Sequence, residues 1–120
     1  MKILLIEDDK ILQELYKRQF VQAGLTIDIY GTGKEGLVAA GQQQYDLVLL
    51  DILLPDIDGL DVFRQMKLKD TTKDIPVVFL TNLSQEETIQ KAFDLGAKGY
   101  LVKSSYTPDQ VVTEVKKFLQ

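Results

Sequence analysis

Carboxylates, a hydroxyl and an amine occupy one kind of position in this chain, directly after a short apolar run. Glu7, Asp8 and Asp9 follow Ile3-Leu4-Leu5-Ile6, Asp51 follows Leu47-Val48-Leu49-Leu50, Thr81 follows Val77-Val78-Phe79-Leu80, and Lys103 follows Tyr100-Leu101-Val102. Clustered acids suit a hard cation, a carboxylate among them suits a nucleophile, and a hydroxyl with an ammonium suits the oxygens of a phosphoryl group. The set can act only if the fold brings its members together. Continuous apolar runs of this kind read as strands buried on both faces. Buried parallel strands align their carboxyl ends along one edge of a sheet, where open α/β proteins place their ligands.

The segments between the runs change from a strand-like to a helical period. Ile11, Leu12, Leu15, Tyr16 and Phe20 recur at three- and four-residue spacings before Gly24, and Ile89, Ala92 and Phe93 do so before Gly96, which predicts amphipathic helices closed by glycine. Helix starts are predicted by capping-box spacing at Thr32 with Glu35, Ser84 with Glu87, and Thr107 with Gln110 behind Pro108. Asp9 is expected to cap the first helix in part, and Asp58 with Gly59 to open another. Val111, Val112, Val115, Phe118 and Leu119 form the stripe of a last helix. The pattern predicts strands near 2–7, 26–30, 46–51, 76–81 and 99–103, alternating with helices near 9–23, 33–43, 58–68, 85–95 and 107–119. Such βα alternation implies a doubly wound parallel sheet in a single domain over residues 1–120.

Composition narrows the chemistry. The chain of 120 residues has no cysteine and no histidine, which excludes disulfides, thiolate ligands and an imidazole base, so any metal must rest on carboxylates. A net charge of −4 without a Lys/Arg stripe argues against direct nucleic-acid binding. No apolar stretch approaches the roughly 18 residues of a membrane span, and no basic segment leads into a secretory core, so a cytoplasmic protein is expected.

Taken in order, the Glu7-Asp8-Asp9 cluster, Asp51 with Pro55, Asp58 and Gly59, then Thr81, then Gly99-Tyr100 and Lys103 resemble, end to end, the receiver domain of two-component response regulators. The resemblance implies a flavodoxin-like (βα)5 fold, a doubly wound parallel sheet with strand order 2-1-3-4-5. In that order the first and third strands are neighbours about 4.8 Å apart, so Asp8 and Asp51 project into one small volume and repel unless a cation lies between them. A Mg²⁺ held by Glu7, Asp8 and Asp51 is therefore expected, with Asp51 as phosphoacceptor and Lys103 neutralising the transferring group. The Thr81 hydroxyl would meet the phosphoryl group once present, and Tyr100 is the aromatic that follows the threonine in the family. The domain would be a switch that catalyses its own phosphorylation rather than an enzyme acting on others. The implied partners are a sensor histidine kinase or phosphotransfer protein and a downstream protein or effector domain. These would be read on the face of the last two helices and last strand, which Lys91, Asp94, Lys98 and Tyr106 decorate, with a possible homodimer on activation. The chain is expected to be either a single-domain regulator or a receiver taken from a longer protein.

Other classes fare less well. A flavin carrier of similar topology needs a hydroxyl- and glycine-rich phosphate loop where this chain has Glu7-Asp8-Asp9, and those acids repel a phosphate. An aspartate-nucleophile phosphatase of the haloacid-dehalogenase type wants an acid two residues beyond the nucleophile, where Leu53 stands. The remaining alternative is a phosphorylation-independent pseudo-receiver adaptor, although such proteins usually lose one of the acids, the threonine or the lysine. Two positions depart from the common family pattern: Asn82 after Thr81 replaces a small residue, and Ser104 after Lys103 replaces a proline in a cis peptide. Cis costs roughly 2.5–4 kcal/mol before a residue other than proline, so Lys103–Ser104 is expected to be trans. Leu53 and Leu83, which flank the approach of hydrolytic water in the family, cannot orient it, so a long-lived acyl phosphate is expected.

Overall fold

The computed structural model describes residues 1–120. Five strands alternate with five helices: β1 Lys2–Ile6, α1 Lys10–Gln22, β2 Thr26–Tyr30, α2 Gly33–Gln42, β3 Leu47–Leu50, α3 Gly59–Lys67, β4 Val77–Thr81, α4 Glu86–Asp94, β5 Gly99–Val102 and α5 Pro108–Phe118, with one 3₁₀ turn at Lys103–Ser105. The strands are parallel in the order β2-β1-β3-β4-β5. Register pairs Ile6 with Leu50, Leu50 with Phe79, and Thr81 with Val102, so the carboxyl ends of β1, β3, β4 and β5 lie along one edge.

Period-two alternation divides the apolar runs between two cores. Leu4, Ile6, Val48, Leu50, Val77 and Phe79 join Leu37, Leu60, Phe63, Met66 and Ala92 of α2, α3 and α4. Ile3, Leu5, Leu47, Leu49, Val78, Leu80 and Leu101 join Tyr16 and Phe20 of α1 and Val111, Val112 and Val115 of α5. The central strands are thereby covered on both faces, which is why they read as unbroken apolar runs.

Local chemistry sets most helix ends. The Asp9 carboxylate accepts from the Ile11 and Leu12 N–H groups at 2.9 and 3.1 Å, Thr32 Oγ accepts from Glu35 N–H at 3.1 Å, and Gln110 accepts from Thr107 N–H at 2.9 Å. Asp58 caps α3 through Leu60 N–H at 2.7 Å. Gly24 and Gly96 close α1 and α4 with φ of +81° and +104°.

Several expectations are corrected. Ser84 does not cap α4; the helix begins at Glu86 behind Gln85, which makes no side-chain cap bond. The preceding loop is held elsewhere: Leu83 N–H donates to Thr81 Oγ at 3.4 Å, and the Tyr100 hydroxyl donates to Leu83 O at 2.7 Å, which carries the chain past Ser84 before it coils. Ile11, Leu15 and Phe93 are exposed rather than buried in their stripes. On α1 the inward line is Leu12, Tyr16 and Phe20, a face that the i, i+4 spacing allowed but did not single out. The strands are also slightly shorter than expected, ending at Ile6, Leu50 and Val102.

Candidate functional site

Those shortened strands explain the site. Glu7, Asp51 and Lys103 each stand one residue beyond a strand, and only Thr81 remains within one. Glu7 and Asp51 are nonetheless tethered to the ladder, through Glu7 N–H to Tyr30 O at 3.0 Å and Asp51 N–H to Ile6 O at 3.1 Å. The side chains can thus leave the sheet pattern while their backbones stay fixed.

Glu7, Asp8 and Asp51 offer carboxylate oxygens within 4.8 Å of one another. Glu7 is 1 % exposed and Asp51 4 %, whereas Asp8 lies in the open. Lys103 reaches back over this cluster: its Nζ donates to Asp51 Oδ2 at 2.7 Å and abuts Glu7 Oε1. Asp51 Oδ1 accepts from Leu53 N–H at 3.2 Å, and Glu7 Oε2 from Asp9 N–H at 3.0 Å. Two buried acids therefore share one ammonium, and Asp8 adds a third carboxylate beside them.

The electrostatics follow from that shortage. Burial pushes the Glu7 carboxyl above its usual range, and the Lys103 ammonium and the Asp9 N–H only partly offset it. Burial alone would lower Lys103, but its bonds to Asp51 and Glu7 outweigh it and hold the ammonium above its ordinary value. Glu7 Oε1 is buried, and its one counter-charge, the Lys103 ammonium, is shared with Asp51. Two buried carboxylates on one ammonium beside a third carboxylate fit a hard, oxygen-seeking divalent cation such as Mg²⁺, and the lack of thiolate or imidazole fits no softer ion better.

Thr81 is fully buried, its Oγ accepting from Leu83 N–H. Tyr100 is half-buried, 6.0 Å from the Phe79 ring between centroids, with its hydroxyl on the loop that follows Thr81. Burial, and secondarily the Asp51 charge, raises its pKa. The structure thus brings Glu7, Asp8, Asp51 and Lys103 together, with Thr81 and Tyr100 on the adjoining strands. Lys91, Asp94 and Lys98 are exposed and Tyr106 is half-buried. The Lys103–Ser104 peptide is trans, as no peptide bond is cis.

Three features escaped the sequence. Asp56 grips the start of α2 with both oxygens, accepting from Gly33 N–H at 2.8 Å and Lys34 N–H at 2.9 Å, which ties the loop after Asp51 back to α2. Although slight desolvation opposes it, these N–H bonds hold the carboxyl of the exposed Asp56 below its usual range. No local spacing signals a contact across 23 residues. Gly59 was legible as a helix start but not as a close approach: a Cβ there would lie 2.1 Å from Asp51 O and 2.7 Å from Ile52 Cα, both backbone. Third, Ser104 N–H donates to Asn82 Oδ1 at 3.0 Å across the mouth of the site.

Residues 3–116 match the family described as the response regulator receiver domain. The transcriptional regulatory protein CusR of Escherichia coli is 39 % identical over 103 residues, which cover 86 % of this chain and 44 % of CusR. The chain spans about half the length of the curated relatives it matches. Among solved structures, the non-phosphorylated receiver domain of HemR from Leptospira biflexa superposes with a TM-score of 0.90 at 28 % identity, covering 99 % of this chain and 94 % of that one. The phosphorylated cyanobacterial phytochrome response regulator RcpA gives 0.86 at 29 % identity over 98 % and 92 % of the two chains.

Proposed function

Because this chain belongs to the response regulator receiver family, we propose that it accepts a phosphoryl group on Asp51 and switches a protein-binding face in response. The observation that carries the reading is the convergence of Glu7, Asp8 and Asp51 under the Lys103 ammonium, 2.7 Å from Asp51. In the transfer, an Asp51 carboxylate oxygen bonds to phosphorus while the bond from phosphorus to the donor breaks, yielding an acyl phosphate and the released donor. Lys103 shifts from the carboxylate to the incoming phosphoryl oxygens and neutralises them, and the Thr81 hydroxyl turns its proton toward one of those oxygens. Glu7, Asp8 and Asp51 would hold a Mg²⁺ ion, which when bound supplies charge neutralisation to the carboxylates and phosphoryl oxygens.

The donor is a sensor histidine kinase or a phosphotransfer protein, or a small phosphodonor such as acetyl phosphate. Withdrawal of Thr81 from Leu83 N–H frees the loop onto which Tyr100 is bonded, so the change passes to α4, β5 and α5, where a downstream protein, an effector domain or a second copy would dock. Relatives such as the transcriptional regulatory protein CusR point to transcription as the output of those longer proteins, and we assign this domain no nucleic-acid contact of its own. Leu53 is 60 % exposed at the mouth, and neither it nor Leu83 offers a polar side chain to orient water, which favours slow hydrolysis of the acyl phosphate. The test is intact-mass spectrometry after incubation with acetyl phosphate and Mg²⁺. One phosphoryl adduct is expected in the wild type and none in Asp51→Asn; an adduct that survives the substitution overturns the assignment. A partner bound equally by both proteins would favour the adaptor reading.

A further inference from the structure

The two departures from the common receiver pattern meet in one hydrogen bond. Ser104 N–H donates to the Asn82 side-chain oxygen at 3.0 Å, joining the residue after Lys103 to the residue after Thr81. A proline at position 104 would remove the donor, and a small residue at position 82 would remove the acceptor, so either usual residue alone would abolish the bond. The strands beneath are hydrogen-bonded neighbours with Thr81 opposite Val102, which sets the two loops side by side. Ser104 also lies in the 3₁₀ turn Lys103–Ser105, whose trans backbone turns back through Tyr106 N–H to Lys103 O at 3.3 Å.

We infer that Asn82 and Ser104 are a positioning pair that locks the Lys103 loop to the Thr81 loop, so that the two groups meeting a phosphoryl oxygen move as one unit. The inference rests on the proposed phosphoryl transfer and deepens it. Lys103 reaches its acids through a side chain with four rotatable bonds, and its aim depends on where its backbone is held. Here a cis-proline does not hold it; the Asn82 carboxamide does. When Thr81 is drawn toward a phosphoryl group, Asn82 carries the turn bearing Lys103 with it, and the bond tightens the ammonium onto the same group.

Two measurements test this, one independent of phosphorylation. In the unphosphorylated protein, Asn82→Ala should lower the protection of the Ser104 amide against hydrogen exchange roughly three- to tenfold, the range expected for one hydrogen bond. Asn82→Asp, which keeps an acceptor oxygen, should restore it. In acetyl phosphate kinetics, Asn82→Ala should lower the maximal rate severalfold and leave the half-saturating donor concentration unchanged. The same substitution should have no further effect in a Ser104→Pro background, where the bond is already gone. Unchanged Ser104 exchange in Asn82→Ala, or an equal loss of rate in both backgrounds, overturns the pair. If the wild type takes no phosphoryl group at all, the functional reading fails, and the exchange measurement still decides whether the latch exists.

Discussion

At the amino end of the sheet, polar groups satisfy one another. Lys2 N–H donates to Asp46 at 2.7 Å, the Lys2 ammonium lies 3.6 Å from Asp28 and against Gln43, and the Tyr45 hydroxyl donates to Asp28 at 2.6 Å. At the carboxyl end, the buried carboxylates of Glu7 and Asp51 share the single Lys103 ammonium, with the Asp8 carboxylate beside them. Both ends pair carboxylates with a lysine ammonium. One is finished by folding, while under the proposed function the other would be completed by a cation and a phosphoryl group. Local rules of polar satisfaction are broken where function needs an opening, and the cost is carried by the closed end and the two apolar cores.

Removing the cation at each end should give the largest contrast. Lys103→Met leaves Glu7 and Asp51 buried without a counter-charge, and breaking a buried pair in this way typically costs about 3–5 kcal/mol. Lys2→Met removes a half-exposed charge and should cost no more than about 1 kcal/mol. Urea unfolding of both variants without divalent cation makes the comparison, and similar losses would erase the distinction between the two ends.

Glycine separates the ends next. Gly24, at the amino end, has φ +81° and open space about it, so Gly24→Ala meets only the left-handed penalty of about 1–2 kcal/mol. Gly59→Ala drives a methyl into the backbone of Asp51 and Ile52, an overpacking that typically costs about 1–3 kcal/mol and sometimes more. The displacement falls on the proposed phosphoacceptor, so Gly59→Ala should also slow phosphorylation while Gly24→Ala leaves its rate unchanged. Equal rates in the two variants would show that the site tolerates a moved Asp51 backbone.

That contrast marks the limit of what the sequence makes legible. The two-faced burial of the apolar runs and the placing of Glu7, Asp8, Asp51 and Lys103 along one sheet edge follow from period and from polar residues at run ends, whereas the strand order that makes them neighbours follows only from the resemblance to receivers. The direction of α1's apolar face does not, because Ile11, Leu12 and Leu15 fit the same period and only packing against α5 and the sheet turns Leu12 inward. Ser84 looks like a cap, but Tyr100 and Thr81 hold the loop before it in a path that delays the helix. Gly59 against Asp51 O, Asp56 on the start of α2 and Asn82 on Ser104 are all contacts between loops, where no periodicity exists to betray a partner.

Acid titration should reveal the open end by the sign of its response. Glu7 has a folded-state pKa raised above 4.5, so the folded protein binds the extra proton, and its contribution to stability is fully present below 4.5 and lost as pH rises through the folded value. Asp56 is shifted the other way, and its contribution is present above 3.8 and lost as pH falls through its lowered value. In the absence of metal, Glu7→Gln should therefore gain on the wild type as pH climbs from 4.5 toward neutrality, whereas Asp56→Asn should differ most above 3.8 and converge with the wild type in stronger acid. Unfolding midpoints across that range decide it. A Glu7→Gln curve parallel to the wild type would mean that Lys103 fully compensates the burial of Glu7.

The smallest effect is the most discriminating, because one chemical change should act with opposite signs. Asp8→Asn removes an exposed charge within 4.8 Å of two other acids, and unit charges at that range in a water-like surrounding repel by about 1 kcal/mol. Without metal the variant should be more stable than the wild type by up to that amount. Asp28→Asn keeps the shape but weakens the bond from the Tyr45 hydroxyl and the pairing with Lys2, and should lose up to about 1 kcal/mol. Adding Mg²⁺ should then reverse the order at the carboxyl end alone. A ligand that binds only the folded state stabilises in proportion to its affinity, and Asp8→Asn gives up one of the carboxylates that would hold it. Thermal melts of the two variants, with chelator and with Mg²⁺, contain the whole comparison. If Asp8→Asn is destabilising in chelator, the acids at the carboxyl end are already relieved by Lys103 and water, and that end is no more open than the other.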